Sequence, residues 1–230
     1  MDSSSVALVA AAISFSSALT CAWFSRRTIV SERLAAADEV AVRFREPLLQ
    51  AAFNLQSRVY NIVRQGFLTR FLAEARPTED REYAAENTLY LLGQYFCWVE
   101  ILLRESQYLD PRNQARNRVV TEHLETVRDV FASSEISEPV FRIFRGEQRA
   151  IGEVMLTPTD APHGPRWECR GYAAFVRQRG DAEDDRWFSR TRKDLVVLLK
   201  EPGRHQERLI LVQHALLNLV DVLEIGRAHV

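Results

Sequence analysis

The feature that most constrains this chain is an uncharged run of 19 residues from Val6 to Phe24, VALVAAAISFSSALTCAWF. As a helix it would span about 28 Å, close to the roughly 30 Å hydrocarbon core of a bilayer. Its polar residues are Ser, Thr and Cys only, and short side chains of this kind bond back to helix carbonyls. Trp23 stands at the end of the run, where an aromatic suits the membrane interface, and Arg26 and Arg27 follow. A cleaved signal peptide would want a basic start, a shorter apolar stretch and a small-x-small cleavage site. Here the start is Met-Asp-Ser-Ser-Ser and the run ends in Trp-Phe-Ser-Arg-Arg. The expectation is therefore a retained, single-pass transmembrane helix over residues 6–24. With positive charge only on its C-terminal flank, residues 1–5 would lie outside the inner (cytoplasmic) membrane and the rest in the cytoplasm.

The remainder is long enough for one sizeable domain. Hydrophobic residues make up 47% of the chain and charged residues 27%, a globular balance. The net charge of -1 supplies no field to draw the molecule to nucleic acid. Only Lys193 and Lys200 are lysines, so nearly all cations are arginine, as a GC-rich genome produces. Cys21, Cys97 and Cys169 are too few, and wrongly spaced, for a disulfide framework or a zinc site. Reduced thiols in a cytosol account for them.

Helical periodicity dominates after residue 28. Ile29, Leu34, Ala37, Val40 and Phe44 share a face, which predicts a stalk helix over residues 25–46, with a bend near Arg45 and Glu46 before Pro47. A helix over Leu48–Glu74 would bury Leu48, Ala52, Leu55, Val59, Ile62 and Val63. Gln50, Asn54, Ser57, Arg58 and Asn61 would form its polar strip, either solvated or a partner surface. Thr78 reads as an N-cap followed by acids, opening a helix to Gln107. Residues 88–103, TLYLLGQYFCWVEILL, are apolar on almost every side. That suits a central core helix with Trp98 and Leu102 in the core; Glu86, Asn87, Gln94 and Glu100 count against a second membrane span.

Further helices are expected over 112–132, from Ser137-Glu138-Pro139 to Met155, before Glu201-Pro202-Gly203, and from His205 onward. Residues 156–168, with Pro158, Pro162, Pro165 and Gly164, read as a loop, and Cys169–Arg179 as a short helix or, as the less favoured alternative, a strand. The acids at 181 and 183–185 suit a helix first turn better than a calcium loop. On the last helix Leu209, Val212, Leu216, Leu219, Val220 and Leu223 form an apolar stripe.

No catalytic, cofactor-binding or metal-ligating motif emerges. Glu100, an acid on an apolar helix, needs a partner, and Arg104 four residues on can supply one. FRGEQRAIGE (144–153) holds two glycines in a helical pattern but lacks the lysine and preceding strand of a phosphate loop. Its arginines Arg145 and Arg149, with Arg142, are candidate contacts for lipid headgroups or an acidic partner.

REPLLQAAFNLQSRVYNIVRQGFL, YLLGQYFCWVEILLRE and FRGEQRAIGE resemble an uncharacterised family of bacterial, actinobacterial proteins with an N-terminal membrane anchor and a helical domain. The resemblance covers about residues 45–224 and implies a fold, with no activity. The final IGRAHV is also the translation of ATC GGA AGA GCA CAC GTC, a common sequencing-adapter string followed in frame by a stop. Residues 225–230 are therefore expected to be foreign.

Taken together, the expected fold is all-α: an anchor, a stalk, and an irregular bundle of about six helices over 47–224. The expected function is a membrane-tethered interaction or regulatory module. Its partners would be the lipid bilayer and an unknown protein, with no nucleic acid and no cofactor. A membrane-anchored enzyme or nucleotide-responsive effector, built around a pocket near Glu100, is the less favoured alternative.

Overall fold

The computed structural model describes residues 44–105, 114–160, 166–178 and 182–225. The expected anchor, most of the stalk and residues 226–230 lie outside them. Among the described residues there are eight helices and two short strands. A helix α1 covers residues 44–64, followed by α2 (Phe67–Phe71), α3 (Thr78–Glu105), α4 (Gln114–Ala132) and α5 (Arg145–Val154). Strands β1 (Leu156–Thr159) and β2 (Arg166–Cys169) come next, then α6 (Tyr172–Arg177), α7 (Ala182–Lys200) and α8 (Glu207–Ile225).

The helix that is apolar all round takes the centre. On α3, Leu89, Leu92, Tyr95, Phe96, Cys97, Val99 and Ile101 are all buried. Successive positions 95–97 point in three directions, so only enclosure by other elements can hide them. Helices α2, α5, α6 and α7 and strand β2 all pack on α3. Trp98 and Leu102, expected in the core, are instead half-buried at its rim. Among the described residues no helix is long and apolar enough to cross a membrane, α3 included. Helix α8 packs against α4, and its apolar stripe from Leu209 to Leu223 is buried as the periodicity predicted. On α4, Leu124, Val127 and Phe131 turn inward. Phe44 and Leu48, one turn apart on α1, belong to the same core.

Several expected boundaries move. Helix α1 is continuous through Pro47, and Arg45 Nε donates to the Leu223 carbonyl at 2.9 Å. The helix expected to reach Glu74 stops at Arg64, because Gly66 turns left-handed (φ 63°) before α2. The helix expected from Ser137 starts only at Arg145. The intervening backbone donors are committed elsewhere: Phe141 N–H to Asp194 (2.9 Å) and Ile143 N–H to the Phe131 carbonyl (3.0 Å). Residues 156–169, expected to be mainly loop, contain an antiparallel hairpin that pairs Leu156 with Cys169 and Thr159 with Arg166. Pro158 is tolerated because in a two-stranded sheet each strand is an edge. The fold is thus mostly helical with a small sheet.

Candidate interaction surface

The polar groups singled out by sequence come first, because their surroundings decide what they can do. Glu100 is buried on α3. Its Oε1 accepts from Arg104 Nε at 2.8 Å, and Arg149 Nη2 of α5 stands 3.6 Å from the same oxygen. Glu153 closes the set by accepting from Arg104 Nη2 and Arg149 Nε, both at 3.1 Å. Four charges of alternating sign therefore bridge α3 and α5. Between them lies Gly152, where a Cβ would stand 2.6 Å from the Phe96 carbonyl oxygen. The groups converging on Glu100 are guanidiniums that fasten one helix to the other, the arrangement a packing clamp needs.

The rest of FRGEQRAIGE serves the same end. Arg145 bridges Glu125 (2.6 Å) and Asp129 on α4. Glu147 Oε2 accepts the Phe144 N–H at 2.7 Å, satisfying an orphan donor at the start of α5. Buried Gln148 donates Nε2 to the carbonyls of Ile143 (2.8 Å) and Arg128 (2.9 Å). Arg142, Arg145 and Arg149 each have partners within the fold. Arg142 precedes α5 and donates to the Ile136 carbonyl at 3.1 Å, Arg145 reaches α4, and Arg149 reaches α3.

Sequence gave no signal for Arg208, the most enclosed charge among the described residues, with 1% of its surface exposed. It donates to four carbonyls: Nη1 to Val130 (2.6 Å) and Phe131 (3.1 Å), Nη2 to Ser133 (3.0 Å) and Glu138 (3.2 Å). The negative end of α4 takes the place of a carboxylate. Burial lowers the Arg208 pKa, and Arg142 and Arg190 nearby lower it further. Asp194 sits in the same region, its carboxyl pushed up by burial. Phe141 (φ 56°) and His205 (φ 58°) hold positive φ beside this node, and His205 Nδ1 is 2.5 Å from Glu138 Oε2.

The outer face of α1 is different in character. At 100° per residue, Gln50, Asn54, Ser57 and Asn61, four of the five residues of the expected polar strip, share one face. Phe53 and Tyr60, two turns apart, border it, with 51% and 40% of their surfaces exposed. Arg58 borders the opposite side. It donates Nη2 to Asn87 Oδ1 at 2.6 Å, and its guanidinium carbon lies 3.9 Å from the Phe67 ring centroid. Burial lowers its pKa, while the nearby Tyr83 acts in the other direction. Around it run Phe67 against Phe71 (5.1 Å between centroids), Tyr83 edge-on to Tyr172 (6.3 Å) and Tyr90 edge-on to Tyr172 (5.2 Å). Tyr83 is 55% exposed. Exposed aromatics beside arginine are the residue types that anchor protein interfaces. The seven-residue spacing of Phe53 and Tyr60 was legible in sequence; the gathering of Tyr83, Phe67 and Tyr172 around Arg58 was not.

Among the described residues, no three His, Cys, Asp or Glu side chains are grouped to hold a metal ion. No family model, no curated protein and no solved structure matches the chain.

Proposed function

We propose that this chain is a membrane-tethered helical module that binds a protein partner through the outer face of α1. The observation that carries the proposal is the exposure of Phe53 and Tyr60 along one edge of that helix, with the Arg58 aromatic cluster along the other. Single exposed apolar residues are ordinary on any surface. Large aromatics two turns apart on an otherwise polar helix face supply anchor points of the kind that dominate binding energy. α1 is also the first described element after the Val6–Phe24 run, so a tether would keep this face close to the bilayer.

A photo-crosslinking residue placed at position 53 or 60 of the full chain in living cells tests the proposal. Position 118 is the control, since the Arg118 side chain on α4 is 80% exposed. A discrete crosslinked protein from 53 or 60 and none from 118 is expected. Identical band patterns at all three positions, or no adduct at any, would refute it. The tether is tested separately. A reporter fused after residue 224 should be active in the cytoplasm and sediment with membranes, and periplasmic activity would overturn the topology.

A further inference from the structure

Glu46 and Arg64 stand at the two ends of the outer face of α1. They are 18 residues apart, five full turns at 100° per residue, so both lie on the same side of the helix. The helical rise separates them by about 27 Å. Gln50, Phe53, Ser57 and Tyr60 lie on that side between them. Among residues 47–63 the only charge is Arg58, which engages Asn87 and Phe67. Arg64 is exposed and Glu46 half-buried. The face is therefore a strip of aromatic and uncharged polar groups, negative at one end and positive at the other. Laid antiparallel on a second copy of itself, with a two-fold axis at residue 55, it meets opposite charge at both ends. Glu46 of each copy then falls opposite Arg64 of the other, Gln50 opposite Tyr60, and Phe53 opposite the small Ser57. A glutamine amide both donates and accepts, so Gln50 can bond the Tyr60 hydroxyl in either sense. A parallel pairing would set like charge against like at each end, which disfavours it.

We propose that the outer face of α1 pairs with the same face of a second copy of this chain, in an antiparallel two-fold dimer. The inference rests on the interaction surface proposed above and names its occupant. The opposite charges of Glu46 and Arg64 set the register, and the aromatics between them supply the buried contact. An isologous pairing uses one patch twice and closes on itself, so it yields a dimer and no filament. One helix pair is smaller than a standard interface. Confinement of both chains to one bilayer raises their effective concentration and compensates for the small area.

The test uses the full chain in cells, with a photo-crosslinking residue at position 53 and two different tags on co-expressed copies. An adduct of twice the chain mass that carries both tags is expected. Glu46→Arg or Arg64→Glu, each expressed alone under both tags, sets like charges together at both ends and should cut that adduct about fivefold or more. Co-expression of the two variants should restore it, because the altered ends then face each other and the native ends face each other. The two positions are about 27 Å apart within one chain, so this rescue can act only between chains. An adduct with a different protein, and none carrying both tags, would overturn the dimer and leave the proposed binding face standing. No adduct from position 53 or 60 would refute both. A two-tag adduct that neither variant weakens, or that co-expressed folded variants fail to restore, would overturn the antiparallel register. The parent chain's adduct decides the pairing even if a variant fails to fold.

Discussion

Gly146 and Gly152 lie six residues apart in α5, and alanine should move stability in opposite directions at the two. At Gly152 an added Cβ would stand 2.6 Å from the Phe96 carbonyl oxygen, 3.1 Å from its carbon and 3.2 Å from Glu100 Cβ. Ordinary contact begins near 3.4 Å, so α5 would have to retreat from α3 by about 0.8 Å (3.4 less 2.6). The obstacle is main chain inside a helix, which cannot rotate away, and interiors at native density do not absorb such a shift locally. Overpacking of this kind costs about 1–3 kcal/mol, and the helix preference of Ala returns about 1 kcal/mol. With a rigid obstacle the first range applies near its upper end, leaving a net loss of about 1–2 kcal/mol. For a chain of this size that lowers Tm by about 3–6 °C. At Gly146 a Cβ would meet nothing within 4 Å. It is the second residue of α5, where helix preference counts for less, so Gly146→Ala should gain about 0.5 kcal/mol and raise Tm by about 1–2 °C. Urea unfolding followed by tryptophan fluorescence, with calorimetry for Tm, measures both. A Gly152→Ala chain as stable as the parent, or two shifts of the same sign, would refute the close approach of α5 to α3.

Arg208→Met strips four carbonyls at the end of α4 of their common donor, so urea unfolding should show a loss of at least about 3 kcal/mol; a loss under 1 kcal/mol would mean that water replaces the guanidinium. Burial raises the Asp194 carboxyl above its ordinary 3.8, and the Phe141 N–H and Arg190 and Arg208 hold it back. The folded chain therefore binds this proton more tightly than the unfolded chain does, and stability falls as pH rises from 3.8 through the raised value. Asp194→Asn stays neutral and can still accept from Phe141, so its stability relative to the parent should rise between pH 3.5 and 7 in paired unfolding curves, and a flat difference would contradict the burial of this group. Phe96→Ala should cost about 3–5 kcal/mol, whereas Trp98→Ala, at a half-buried site, should cost clearly less; the reverse order would misplace the core face of α3. Phe53→Ser and Tyr60→Ser should stay within about 0.5 kcal/mol of the parent, since neither side chain is in the core.

How much of this was legible in the sequence depends on how local each cause is. Apolar periodicity marked the buried stripe of α8 from Leu209 to Leu223, and the apolar run of α3 marked that helix as central, because both follow from the pattern along a single helix. The i, i+4 spacing of Glu100 and Arg104 likewise foretold their ion pair. Boundaries were missed where distant partners compete for the backbone. Ser137-Glu138-Pro139 has the local chemistry of a helix start, yet Asp194 and Phe131 claim the donors of Phe141 and Ile143 and delay α5 to Arg145. The proline-rich stretch after Met155 looked like a loop because strand pairing between Leu156–Thr159 and Arg166–Cys169 has no one-strand signature. Gly152 was visible as an anomaly, but only the nearness of Phe96 explains it. Arg208 looked like any charged residue on an amphipathic helix until the C-terminal carbonyls of α4 were brought to it. The gathering of Tyr83, Phe67 and Tyr172 around Arg58 was decided by tertiary structure alone, because residues far apart in the chain carry no mutual spacing that could announce their contact.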